Sequence, residues 1–142
     1  MASNCRFAFA VHVMSVLALH LDEAMTSEQL AHSVNTNPVV IRRLLGELAE
    51  DGLVETQRGP GGGARLARPA EAITLLHIHR ASSGEVTPFG EHPNPPAQCC
   101  PVGRDIKRVL ETVAERARLA VEREYEATTL AQVVAQIHVP VA

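Results

Sequence analysis

A chain of 142 residues is the size of one domain, and with 46% hydrophobic but only 3% aromatic residues its core has to be built from Leu, Val, Ile and Ala rather than from rings. That mix favours helices over a β-sandwich or barrel. The formal charge of -3 excludes a generally polybasic, histone-like protein, although it leaves room for a local basic patch. Three cysteines at positions 5, 99 and 100 are too few and too oddly spaced for a disulfide framework, so a reducing cytoplasm is the expected compartment.

The first element is an apolar run from Phe7 to Leu21. It is shorter than the roughly 20 apolar residues of a membrane span, it is interrupted by His12, Ser15 and His20, and Asp22 and Glu23 follow where a leader would have small residues. The run therefore predicts a buried helix that packs on both sides, and no membrane partner. Thr26-Ser27-Glu28-Gln29 has the form of a capping box and opens a short second helix ending near Val34. Asn35-Thr36-Asn37-Pro38 is a turn that also starts a third helix, with Asn37 as cap and Pro38 at the first helical position. This helix runs to about Asp51. Ile41, Leu44, Leu45 and Leu48 form its inner face, leaving Pro38, Val39, Arg42, Arg43 and Glu47 outward.

Leu53–Thr56 and Ala64–Ala67 read as two short strands joined by a glycine-rich turn from Arg58 to Gly63. Pro69 opens a further helix to about Arg80, with Ile73 and Leu76 inward. Between Ala81 and Gly103 the prolines and glycines exclude regular structure, and an irregular loop of that length in a compact domain is commonly functional. From Asp105 to about Tyr125 the chain is helical again, with Ile106, Val109, Leu110, Val113, Ala117, Ala120 and Val121 in one stripe. A capped segment from Thr128 or Thr129 to Ile137 predicts a last short helix.

The fold class expected is mainly α with a small β-hairpin wing: a winged helix-turn-helix followed by a long C-terminal dimerisation helix. The segments are 1–80 for DNA binding, 81–103 for a sensor loop, and 104–142 for the dimerisation and terminal helices. Such a module places the second helix of the pair in a DNA major groove and uses the wing on the flanking groove. Five of the thirteen basic residues, Arg42, Arg43, Arg58, Arg65 and Arg68, fall in this stretch, and Arg bonds guanine edges or phosphates. The expected DNA-contact set is Thr26, Ser27, Thr36, Asn37, Val39, Arg42, Arg43, Arg58, Gly62 and Arg65. The long stripe is the expected seam of a homodimer, as such modules commonly bind paired half-sites.

Several motifs together resemble the winged-helix regulators that include IscR, NsrR and CymR: Thr26-Ser27-Glu28-Gln29-Leu30-Ala31, Asn37-Pro38-Val39-Val40-Ile41-Arg42-Arg43-Leu44-Leu45, Asp51-Gly52-Leu53-Val54, Gly59-Pro60-Gly61-Gly62-Gly63, Ala72-Ile73-Thr74-Leu75 and Cys100-Pro101-Val102-Gly103. The resemblance implies a homodimeric transcriptional regulator of double-stranded operator DNA, usually a repressor, whose long helix crosses that of its partner. Members with an iron-sulfur cluster carry three well-spaced loop cysteines and a fourth ligand elsewhere. This chain has the adjacent pair Cys99 and Cys100, and Ala8 near the start of the first helix where some members have an acid. It therefore resembles the cluster-free branch, and no cofactor is expected; Cys5, Cys99, Cys100 and His92 are the ligand set a cluster would have to use.

In a cluster-free member a loop thiol can serve as a redox or electrophile switch, with oxidant or a small molecule as effector. Cys100 is the first choice because it precedes the positive end of a helix. Cys5, of the same chain or its partner, is the resolving thiol preferred over the strained neighbour Cys99. His77 and His79, two apart on a helix, do not share a face and make a poor metal pair. No paired nucleophile and base, phosphate loop or HExxH motif points to an enzyme. The alternative is a module that does not bind DNA and uses its long helix and proline-rich loop to bind a protein, small molecule or metal.

Overall fold

The computed structural model describes residues 4–141, so residues 1–3 and 142, the outer ends of the expected DNA-binding and dimerisation segments, lie outside the described residues. Helix α1 (Asn4–Leu19) is apolar nearly all round, and the structure gives that surface neighbours on several sides. Ala10, Val13, Met14 and Leu17 are buried, and α1 touches α2 (Ser27–Val34), α4 (Leu75–Ser83), α6 (Leu130–Ala135) and the second strand. Arg6, on its first turn, donates to the Ser82 carbonyl at 2.9 Å and pairs with Glu47. One guanidinium thus ties α1 to α3 (Pro38–Glu50) and to the end of α4, so Glu47, which the helix pattern leaves facing outward, is half-buried and turned toward Arg6.

The two short helices begin on the caps that the sequence predicts. Thr26 accepts from the Gln29 N–H at 3.1 Å, and Gln29 accepts from the Thr26 N–H at 2.9 Å. Asn35 ends α2 in the left-handed region with φ 66°. Two residues later the Asn37 side chain accepts from the Val39 N–H at 2.8 Å, and Pro38 occupies the first turn of α3. Ile41, Leu44, Leu45 and Leu48 are all buried, each contributing on the order of 1.5–3 kcal/mol of apolar burial.

Strands β1 (Val54–Gln57) and β2 (Gly63–Leu66) pair antiparallel, from Val54 opposite Leu66 to Gln57 opposite Gly63. Met25 adds a one-residue bridge to Ala64, with reciprocal bonds of 3.0 and 2.8 Å, which attaches the wing to the loop before α2. Helix α5 (Pro101–Ala127) starts four residues before the expected Asp105, because Pro101 suits a first helical position. No helix among the described residues is long and apolar enough to cross a membrane.

The expected single helix from Pro69 to Arg80 is instead a 3-10 turn (Ala70–Ala72), two extended residues, Ile73 and Thr74, and then α4. The break has a tertiary cause. The Leu130 N–H donates to the Ile73 carbonyl at 2.8 Å and the Leu75 N–H to the Thr128 carbonyl at 2.9 Å, so the C-terminal segment holds this stretch extended. Helix α4 restarts on a capping box in which His77 Nδ1 accepts the Thr74 N–H at 3.1 Å.

That acceptor role requires an unprotonated Nδ1. Burial first, then the charges of Arg68 and Arg80, lower the His77 pKa, against an opposing pull from Glu126. The folded state therefore binds fewer protons at His77 than the unfolded state, whose value is near 6.5. The stabilisation is complete above that value and declines as pH falls below it. A His77→Gln variant, which keeps an acceptor oxygen but does not titrate, should lose less melting temperature than the parent between pH 7 and about pH 5; equal losses in thermal melts would contradict this role.

Candidate nucleic-acid interface and thiol loop

With its inner face committed to the core, α3 can present only the opposite side. Val39 is 56% exposed, and Arg42, Arg43, Gly46 and Glu50, also exposed, follow it on the same side of the helix. Arg43 makes no ion pair among the described residues, whereas Arg42 donates to Glu28 of α2 at 3.1 Å. The Glu28 carboxyl is lowered by its own backbone N–H and then by this bond. A phosphate approaching here competes with Glu28 for Arg42. It meets an uncompensated Arg43.

The other expected contacts divide between this face and the fold itself. Asn37 is exposed, its amide nitrogen making no hydrogen bond among the described residues, and Thr36 is half-buried in the turn. Thr26 and Ser27 are half-buried at the start of α2, the Thr26 oxygen being engaged in the cap. Arg58 and Arg65 are exposed on the wing. The Gly62 N–H donates to the Gly59 carbonyl at 2.9 Å, and a Cβ there would strike the Gln57 carbonyl. Its glycine is thus required by the turn, and its N–H is not available to a ligand. Arg68, read as part of the basic wing, reaches the Gly52 and Asp51 carbonyls at 3.3 and 3.4 Å and terminates α3 instead.

Sequence reasoning passed over Gly46. A glycine in mid-helix costs about 1 kcal/mol relative to alanine, yet a Cβ at Gly46 would meet nothing within 4 Å. Nothing in the packing of the described residues requires it. The available signal was a glycine inside an otherwise well-formed helical pattern, on the same face as Val39 and Arg43.

At the other end of the molecule Cys100 is the N-cap of α5, and Cys99 and Cys100 are both exposed. The backbone N–H groups of Gly103 and then Val102 lower the Cys100 pKa, which enriches the thiolate. Cys5 is half-buried on α1. Two residues on, the Phe7 ring packs 5.0 Å from that of Tyr125, which stands roughly 37 Å along α5 from Cys100. Cys5 and Cys100 of one chain are therefore far beyond the limit of about 7 Å between Cα atoms for a disulfide. The same separation prevents Cys5, Cys99, Cys100 and His92 of one chain from holding a cluster, and no group of three or more metal-ligating side chains converges among the described residues.

Residues 3–136 match the family described as Rrf2, iron-dependent transcriptional regulators. The chain belongs to the Rrf2 family. It is 36% identical over 130 residues to YwnA of Bacillus subtilis, whose name places it among HTH-type transcriptional regulators, covering 92% of this chain and 95% of YwnA. Its fold is similar to that of CymR, named as the global cysteine regulator of B. subtilis, with TM-score 0.70, 24% identity and coverage of 94% and 95% of the two chains. It is also similar in fold to IscR of T. potens, with TM-score 0.67, 22% identity and coverage of 95% and 90%. This Rrf2 protein is thus a transcriptional regulator with a DNA-binding fold, and relatives such as YwnA are named as regulators rather than enzymes. The iron in the family description has no matching donor set among the described residues of one chain.

Replacing Gly46 by alanine should stabilise the protein by up to about 1 kcal/mol, a rise of roughly 3 °C in Tm, while weakening binding to DNA. Thermal melts beside DNA titrations check this; loss of stability would show that the glycine serves the fold.

Proposed function

We propose that two copies of this Rrf2 protein pair along α5 and bind double-stranded operator DNA as a repressor in the cytoplasm. In this reading residues 1–80 read the DNA, residues 81–103 sense, and residues 104–142 pair the chains. Thr36, Asn37, Val39, Arg42 and Arg43 contact the major groove, with Gly46 allowing close approach. Thr26 and Ser27 lie beside them, and Arg58 and Arg65 meet the flanking groove, where Gly62 shapes the wing tip rather than bonding. The observation that carries the reading is the α3 face from Val39 to Glu50, exposed beside a basic wing and holding an unpaired arginine and a glycine the fold does not need.

Pairing has its own support. Helix α5 has 27 residues and none is buried, and Val102, Val109 and Val113 are 66%, 46% and 41% exposed. Burying such a stripe against a second copy removes apolar area from water. It also sets two heads on one DNA, as half-site recognition requires.

Cys100 supplies the response to oxidants. Its thiolate attacks a peroxide, forming sulfenic acid and releasing hydroxide, and a second thiol then displaces water to form a disulfide. Since Cys5 of the same chain is out of reach, and a bond to adjacent Cys99 is strained, the resolving thiol is Cys5 of the partner subunit. Antiparallel pairing of two α5 helices brings those two ends together. The bridge would fix the heads relative to each other and change their fit to DNA.

The test is binding to a labelled fragment from upstream of the protein's own gene, with reduced and peroxide-treated protein. Reduced protein should bind with an affinity that falls steeply with salt, and Arg43→Ala should weaken it about tenfold or more. Peroxide should release the DNA and yield a chain-linked dimer on non-reducing gels, both lost in Cys100→Ser. Salt-independent binding would contradict the DNA reading; equal binding by both forms would remove the thiol response.

A further inference from the structure

The proline-rich segment does not lie flat on α5. Residues 86–98 arch over one face of the helix and border a half-open cleft of about 670 Å³, within the range of small-molecule sites. One foot of the arch is the buried Val86, just after α4. The other is fixed at Gly103, where a Cβ would strike the Ala97 carbonyl, so only glycine lets the loop come this close. Between the feet, residues 85–99 make no backbone-to-backbone hydrogen bond to another element among the described residues.

The cleft lies to one side of the seam assigned to pairing and shares only its edge residue Leu110. Arg104, Lys107, Glu111, Ala114 and Arg118 line it from one side of α5, while Ile106, Val109, Val113 and Ala117 centre about a third of a turn away. A partner seated on the valine stripe therefore does not fill it. The walls combine apolar surface, from Phe89, Leu110, Ala114 and several prolines, with a few charges. Arg104 is held by Asp105 and Arg118 by Glu115 and Glu122. Lys107, the chain's single lysine, has no ion pair among the described residues. Glu91 and Glu111 share the lining and oppose a multiply charged phosphate.

We propose that this cleft is a binding site for a small carboxylate with a flat apolar body, the carboxylate on Lys107 and the body between Phe89, Leu110 and Ala114. The body displaces water from the apolar wall, and the single negative charge pairs with the ammonium group that lacks a partner. The site stands independently of the DNA reading. Its effect on DNA rests on that reading, because the loop joins α4 of the head to the start of α5, and an occupant fixes the two together.

Calorimetric titration of the full-length protein with benzoate, salicylate and phenylacetate, and with their neutral amides, tests the proposal without DNA. At least one acid should bind about tenfold or more tightly than its amide. Lys107→Gln should reduce it to the level of the amide, and Ala114→Phe, which fills the cleft, should abolish binding by both. Both variants are checked for unchanged helicity and dimer mass. As a reporter that needs no variant, isotope-labelled dimethylation of the lone lysine keeps its charge and should give one side-chain signal that shifts with the acid. Failure of all three acids, equal binding by acids and amides, or undiminished binding to the filled variant would each overturn the site. Binding that leaves DNA affinity unchanged keeps the site and removes its coupling to DNA.

Discussion

Everything in the head follows from the need to cover α1. A helix apolar nearly all round is stable in water only when other elements cover it, and α2, α4, α6 and β2 do so. Each covering element turns its apolar side inward and its polar side out. Arg6 then fixes the angle between two of them by holding Glu47 of α3 and the Ser82 carbonyl of α4. The side of α3 that remains outward is set by this packing, and it carries Val39, Arg43 and Gly46.

The rod obeys the opposite rule. Helix α5 buries nothing completely, and it is anchored to the head mainly near its C-terminal end. There Tyr125 packs against Phe7 and His79, Arg80 lies 3.7 Å from Glu122, and the strand-like bonds at Ile73 and Leu75 follow just after the helix. The N-terminal end of α5 carries the cysteines and the arched loop, far from this joint. Within the chain, a change made at that end reaches the head through the loop to α4.

Much of this was legible because its causes are local. Capping boxes, an Asn-Pro turn and the spacing of Ile41, Leu44, Leu45 and Leu48 specify two short helices without help from the rest of the chain. The glycine-rich turn specifies the hairpin. What escaped depends on residues distant in sequence: the break at Ile73, imposed from Thr128 and Leu130; the Met25 bridge; the inward turn of Glu47 toward Arg6; and the use of Arg68 as a helix stop. At the candidate site, the exposed arginines of α3 and the wing could be named from periodicity alone. Gly46 required knowing that no neighbour occupies the space beside it. The distance that separates Cys5 from Cys100 required knowing which end of α5 meets α1.

The central claim is that two heads, joined by α5, read DNA together. Selection of binding sites from a random DNA pool by the purified, reduced protein tests it most directly. Pairing through α5 predicts an enriched site with two-fold symmetry, its half-sites one helical turn or a multiple of it apart, about 10 base pairs centre to centre for one turn. Enrichment of a single asymmetric site, or of no sequence, would contradict it.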